Sequence, residues 1–252
     1  MRPVVVKIGG GALAGGALED LPEVLETGRK VVLVHGGGPQ LTRMLDSLGI
    51  TTRFREGLRV TDARTLEVAE MVFGGSVNKA LVRELGALGV PAVGISGTDG
   101  PTFLVEPVRD LGRVGEVARV EPRLIEALWA GGFVPVVATL GLGPEGAYNV
   151  NADAAAAALA VGLGAEHLFL LTDVDGLLKE GKAIPALTPE ECEGYVADGL
   201  AAGGMVPKLR AAAEAARGGI EARIMNGNKK GAVAGAIAGE RMGTLISEGV
   251  VA

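Results

Sequence analysis

The sequence predicts an α/β protein, a three-layer αβα sandwich around a mainly parallel central sheet. Two observations carry this. Short apolar, β-branched runs alternate with stretches of helical periodicity along the whole chain, the pattern of strands covered by helices on both faces. Several of those runs also stop abruptly at glycines: residues 4–8 at Gly9-Gly10-Gly11, and residues 31–34 with His35 at Gly36-Gly37-Gly38. Ligands of open parallel sheets sit off the carboxyl ends of the strands, so glycine loops there mark the expected site.

In chain order, residues 4–8 form the first strand, with Lys7 at its mouth. Residues 18–29 read as a helix with Leu21, Val24 and Leu25 on one face, returning the chain to the strand at 31–34. Pro39 suits the start of the next helix, residues 40–48, where Leu41, Met44, Leu45 and Leu48 fall at helical spacing before Gly49 closes it. Residues 51–61 are polar and mixed, a hairpin or loop before a helix capped at Thr61 or Asp62. That helix, residues 63–88, is apolar on more than one face and interrupted by Gly74-Gly75, so it is read as touching a second surface, as a dimer element does.

Residues 91–96 are a strand ending in a third glycine loop, 103–120 a hairpin, 122–130 a helix and 133–138 a buried strand. Asn151 or Asp153 can cap the alanine-rich helix at 154–161. A strand from residue 168 turns sharply at the acidic loop around Asp173 and Asp175. Helices follow near 189–196, from Lys208 through 216 and at 232–238, with strands at 220–225 and 243–246.

With 252 residues, 48% of them hydrophobic, the chain can bury a full core as one large α/β domain or two lobes. A net charge of -6 and a pI near 5.1 argue against a nucleic-acid surface but tolerate a local basic pocket. The single cysteine, Cys192, cannot form an internal disulfide; it is read as structural, and a cytoplasmic setting is expected. No apolar stretch approaches the roughly 18 residues of a membrane span, so no membrane is expected, and the mature chain is expected to begin near Met1.

Two glycine loops at adjacent strand ends, a helix N-terminus and Lys7 would form an anion cradle. The same glycines also read as turns and close packing, since the chain has 41. Histidine chemistry is disfavoured: only His35 and His167 are present, and only His35 lies near such a loop. Phosphoryl transfer to a nucleophile that is already ionised, such as a carboxylate, fits better. It needs in-line positioning and charge neutralisation but no strong base.

Seven motifs occur in an order that resembles the amino-acid kinase family: Lys7-Ile-Gly-Gly-Gly, His35-Gly-Gly-Gly-Pro, Gly57-Leu-Arg-Val-Thr, Val77-Asn-Lys, Asn149-Val-Asn-Ala-Asp, Leu171-Thr-Asp-Val-Asp-Gly and Gly203-Gly-Met-Val-Pro-Lys. The resemblance runs from residue 3 to about 248 and is strongest to those members that act on N-acetyl-L-glutamate. It implies the amino-acid kinase fold, with residues 1–164 as acceptor lobe and dimer surface and 165–252 as nucleotide lobe. It implies ATP carrying Mg²⁺ as phosphoryl donor, N-acetyl-L-glutamate as acceptor, an acyl phosphate as product and a place in arginine biosynthesis. Lys7 and Lys208 match the lysines that stabilise the transferring group, and Asp153 the carboxylate that orients both. Gly10, Gly37 and Gly38 match backbone donors; Arg59 and Asn149 match groups that hold the acceptor. Asp173, Val174, Asp175, Gly176, Leu177 and Leu178, with Leu200, Ala201 and Ala202, match the nucleotide wall.

Plainer readings stand beside these: Lys208 as a solvated first-turn lysine, Asp153 as an N-cap, Asp173 and Asp175 as turn formers, Arg59 as a surface ion pair and Lys79 as a solvated helix face. Residues 223–229, Arg-Ile-Met-Asn-Gly-Asn-Lys, depart from the family's histidine-bearing pattern and leave nucleotide contacts there open. Lys7 stands so near the start that the N-terminal helix of arginine-inhibited relatives has no room, so a homodimer insensitive to arginine is expected. The rivals are a kinase for aminoadipate or glutamate on a carrier protein, for which Arg53, Arg55 and Arg59 are the basic cluster, and a nucleotide-binding regulator of the same fold.

Overall fold

The computed structural model describes residues 1–9, 16–55 and 57–249. The chain divides into two compact units, unit 1 being Met1–Val31 with Ala156–Ala252, and unit 2 being Val32–Ala155. The units are therefore not consecutive halves, since both chain ends build unit 1.

The amino-terminal elements are β1 (Val4–Ile8), α1 (Leu21–Glu26), β2 (Val31–His35), α2 (Gly38–Ser47) and the hairpin β3 (Phe54–Arg55) and β4 (Leu58–Arg59). A long helix follows, made of α3 (Ala63–Glu70), a π-helical stretch (Met71–Val77) and α4 (Asn78–Ala87). Next come β5 (Ala92–Ser96), β6 (Phe103–Pro107), β7 (Val114–Val120), α5 (Arg123–Ala130), β8 (Val134–Ala138), β9 (Leu140–Gly143) and β10 (Gly146–Val150). The rest is α6 (Ala152–Gly162), β11 (His167–Thr172), the short β12 (Leu178–Lys179), β13 (Lys182–Ala183) and β14 (Ala186–Leu187), α7 (Pro189–Ala197), α8 (Met205–Arg217), β15 (Glu221–Asn226), α9 (Ala232–Ile237) and β16 (Thr244–Ile246).

The fold is the α/β class expected, with a mainly parallel central sheet. In unit 1, β11 lies between β1 and β15, parallel to both; β16 runs antiparallel to β15, with β14 parallel at its far side. In unit 2, β8 lies between β2 and β5, all parallel, and β6, β7, β9 and β10 close a small mixed barrel. All five residues of each of β1, β2 and β8 are buried, as expected for strands covered on both faces.

Several local outcomes differ from the sequence expectation. Helix α1 begins at Leu21, not 18, because Gly16–Leu18 forms a 3₁₀ turn and Pro22, which has no N–H to contribute, stands in the first turn. Helix α2 starts two residues early, at Gly38. Between the two proposed caps of α6, Asn151 prevails: its Oδ1 accepts from the N–H groups of Asp153 (3.0 Å) and Ala154 (3.1 Å). The β9–β10 hairpin was not expected. Its Gly141 and Gly143 weaken the strand signal, yet a Cβ at either would strike Val105 (2.3 Å) or Tyr148 (2.5 Å), so barrel packing demands glycine there. The third glycine loop is structural: a Cβ at Gly97 would lie 2.1 Å from the Phe103 ring, and Asp99 Oδ2 accepts from the Ser96 N–H at 2.6 Å.

Unit 1 also contains a cap that sequence reading missed. Asp20 occupies the N-cap position of α1 but gives its carboxylate to α9: Oδ1 accepts from the Gly231 N–H at 2.6 Å and Oδ2 from the Val233 N–H at 3.0 Å. Both donors are among those a helix N-terminus leaves without intrahelical partners. Replacing this buried carboxylate (Asp20→Ala) is expected to lower unfolding free energy by about 2 kcal/mol, read by urea denaturation.

Candidate active site

In unit 2, β2 delivers His35 to the start of the glycine loop and α2 begins at its end. The three glycines have different reasons. A Cβ at Gly36 would sit 3.2 Å from the Ala152 Cβ, and one at Gly37 would sit 2.9 Å from the Phe73 ring. At Gly38 it would meet nothing within 4 Å, so packing does not require glycine there. The loop thus presses its first two residues against protein and leaves open space beside the helix N-terminus.

Arg59, at the end of β4, is buried beside that terminus. Its Nη1 donates to Thr52 Oγ1 (3.0 Å), and its Nη2 to Thr42 Oγ1 (2.7 Å) and to the Gly38 carbonyl (3.2 Å). The guanidinium carbon stands 4.7 Å from the centre of the Phe54 ring. Burial lowers its pKa, partly opposed by the charge of Asp46, and a guanidinium remains cationic throughout. Asn149, on β10, donates from Nδ2 to Thr61 Oγ1 at 3.1 Å, and that buried hydroxyl donates to the Arg59 carbonyl at 2.8 Å. Gly37, Gly38, Arg59 and Asn149 are therefore gathered in one place, with Thr42, Thr52, Thr61 and Phe54 as supports. Sequence reading did not find those supports, because threonines in a polar hairpin carry no distinguishing pattern.

His35 is fully buried at the root of the loop. Its Nδ1 lies 2.7 Å from the Gly36 carbonyl and its Nε2 3.0 Å from Asn78 Nδ2. A carbonyl needs a donor and an amide N–H needs an acceptor, so the ring is the neutral Nδ1–H tautomer. Burial, with Lys79 adding repulsion, holds its pKa near 4, against the hydrogen bond to Gly36, which favours charge. Lys79 is exposed, as expected of a solvated helix face, but its Nζ also donates to Asn78 Oδ1 (3.0 Å) and the Gly94 carbonyl (2.9 Å). Asp153 lies buried in the first turn of α6.

In unit 1, Lys7 is buried on β1 opposite Leu170, and a Cβ at Gly9 would lie 2.7 Å from the Leu171 carbonyl. Gly10 lies outside the described residues. The parallel register of Thr172 with Asn226 sets the loop after β11 beside the one after β15. Across them Asp175 Oδ1 accepts from Asn226 Nδ2 (2.9 Å) and pairs with Lys229 Nζ (2.8 Å), and these two bonds hold its carboxyl below the usual range. Asn226 and Lys229 thus belong with the acidic loop. Asp173 accepts from Thr172 Oγ1 at 3.2 Å. Gly176 has a φ of 136° and no room for a Cβ, which would lie 2.5 Å from Thr244 Oγ1, the acceptor of the Leu177 N–H. Val174 lies between the two aspartates, and Leu178 is exposed on β12. Leu200, Ala201 and Ala202 form the turn between α7 and α8, and Lys208 stands in the first turn of α8.

Residues 2–226 match the model of the amino acid kinase family. The chain belongs to that family. Among curated relatives of this amino acid kinase is an acetylglutamate kinase from Rubrobacter xylanophilus, 71% identical over 248 residues, with 98% of each chain covered. Another, from Rhizorhabdus wittichii, is 45% identical over 88% of this chain and 80% of its own. Among solved structures, a Streptococcus mutans UA159 protein superposes with a TM-score of 0.87 at 27% identity, covering 98% of both chains.

Protonating His35 must break its neutral arrangement. Its folded-state pKa lies below the ordinary 6.5, so the unfolded chain binds the proton more readily; the contribution is complete above pH 6.5 and lost as pH falls towards 4. Wild-type protein is expected to lose about 3 kcal/mol more unfolding free energy across that interval than His35→Gln, measured by urea titration at each pH.

Proposed function

We propose that this kinase transfers the γ-phosphoryl group of ATP to the γ-carboxylate of N-acetyl-L-glutamate, giving an acyl phosphate in arginine biosynthesis. The observation that carries the reading is the 71% identity, over 98% of the chain, to an acetylglutamate kinase. The geometry of unit 2 agrees with it. Arg59 presents a planar, immobilised fork next to the N-terminus of α2, a combination suited to a carboxylate. Asn149 lies one hydroxyl away.

Unit 2 is proposed to hold the acceptor and unit 1 the nucleotide, at the loops carrying 173–178 and 200–202 and at Gly10. An ionised carboxylate needs no base to become a nucleophile, so the protein's work is alignment and charge neutralisation. Lys7 and Lys208 are assigned to the charge that migrates with the phosphoryl group, with Asp153 orienting both, the roles given by the family resemblance. Among the described residues no group of three or more His, Cys, Asp or Glu is arranged to hold a metal ion. Mg²⁺ is proposed to travel with the phosphates of ATP, where it neutralises charge.

The carrier-protein alternative is less well supported. Of its arginine cluster, Arg55 faces Asp110 at 3.9 Å and Arg59 is buried and engaged with neutral groups. A homodimer through the long helix is also proposed, since Met71 in its π stretch is 60% exposed. A cytoplasmic setting suits the one cysteine, Cys192, whose thiol burial pushes up to about 12 and out of reach of ready oxidation. Among the described residues no helix is long and apolar enough to cross a membrane.

Incubation with ATP, Mg²⁺ and N-acetyl-L-glutamate, with hydroxylamine to trap acyl phosphate, should yield hydroxamate. Free glutamate and aspartate should yield none; product from those alone would overturn the reading. Arg59→Lys should raise KM for the acetylated acceptor much more than KM for ATP, and equal changes would remove Arg59 from the acceptor site. Lys208→Ala should lower kcat by about 100-fold, the scale of losing one transition-state donor, and an unchanged kcat would refute its assignment.

A further inference from the structure

The long helix of unit 2 changes its hydrogen-bond period where it passes the glycine loop. Over Met71–Val77 it is π-helical, and the Asn78 N–H reaches the Phe73 carbonyl, five residues back. In an α-helix, residues five apart point about 140° away from each other. The i→i+5 pattern instead brings Phe73 and Asn78 onto one side, and both meet the same loop. The Phe73 ring stands where a Gly37 Cβ would come within 2.9 Å.

Asn78 is fully buried. Its Nδ2 lies 3.0 Å from His35 Nε2, 2.9 Å from the Val136 carbonyl and 3.2 Å from the Ile95 carbonyl. Its Oδ1 accepts from Lys79 Nζ, and it passes so close to β5 that a Cβ at Gly94 would lie 1.8 Å away. The orientation of the amide is fixed by these partners, because two carbonyls require Nδ2 on their side. His35 Nε2 must then be an acceptor and Nδ1 must carry the proton, which goes to the Gly36 carbonyl. In a trans peptide the C=O and the following N–H point in opposite directions. Anchoring the Gly36 carbonyl on the imidazole therefore directs the Gly37 N–H the other way, as a donor of the loop.

We propose that Asn78 is a positioning residue for the acceptor loop: it selects the His35 tautomer that anchors the Gly36 carbonyl, and so sets which way the loop presents its amide. The inference rests on the reading of unit 2 as the acceptor site. Phe73 fixes the loop by contact and Asn78 by proton placement, and the π turn puts both at the same strand ends. The charged group acting on the imidazole is Lys79, whose Nζ is tied to Asn78 itself.

The test joins ¹⁵N NMR of the histidine ring to steady-state kinetics. The chain has two histidines, so His167→Gln identifies the His35 signals. In wild type, His35 should remain a neutral Nδ1–H ring from about pH 5 to 8. Asn78→Asp is isosteric but can only accept, so it should move a proton onto Nε2. It should also raise KM for N-acetyl-L-glutamate about tenfold or more, with KM for ATP unchanged. If burying the carboxylate prevents folding, Asn78→Ala decides by the same KM comparison and by loss of the single tautomer. A wild-type Nε2–H tautomer, or a folded Asn78 variant with altered ring protonation and unchanged acceptor KM, overturns the role of Asn78 alone. Failure of the wild type to phosphorylate N-acetyl-L-glutamate overturns the proposed function and this role with it.

Discussion

Arg59 is a buried cation whose hydrogen-bond partners among the described residues, Thr42, Thr52 and the Gly38 carbonyl, are all neutral. Had those partners been carboxylates, the charge would be spent inside the protein. Held by hydroxyls and a carbonyl, it stays available to an anion and is fixed in direction, so little ordering remains when one binds. The rest of unit 2 follows from placing it. The β3–β4 hairpin brings Arg59 and stacks Phe54 on it, α2 brings Thr42 and its own N-terminus, and the barrel brings Asn149 through Thr61.

A charge held this way needs a loop that does not wander beside it. That explains the polar network beneath the glycines, where buried His35 and Asn78 and the exposed Lys79 satisfy one another and the carbonyls of Gly94 and Ile95 on β5 and Val136 on β8. Its buried part, His35 and Asn78, is rigid when complete and costly when a partner is lost. It also gives the histidine a role unlike catalysis: a ring held neutral by burial is poorly suited to general acid work at neutral pH, but its two nitrogens specify direction.

Unit 1 shows the same economy at its strand ends. The loops after β11 and β15 are neighbours because their strands are parallel and in register, and Asp175 joins them through Asn226 and Lys229. Asn226 at the end of β15 and Lys229 just after it are thereby tied to the acidic loop. Asp20 offers a second instance, closing the start of α9 with a side chain from the other end of the sequence.

The sequence alone determined the fold class, the order of most elements and the motifs of the family, because burial periodicity and glycine at strand ends are local consequences of a covered parallel sheet. The motifs carrying Gly37, Gly38, Arg59 and Asn149 also stand in order along the chain, and the fold brings those residues together. Three things were decided only by tertiary structure. The first 31 residues join unit 1, which depends on the pairing of β1 with β11, separated by most of the chain. The threonines around Arg59 acquire meaning only when three separate elements converge. The π turn is invisible to a 3.6-residue pattern, because its defining feature is a shift of hydrogen-bond partner, stabilised by what Phe73 touches on the glycine loop and Asn78 on β8.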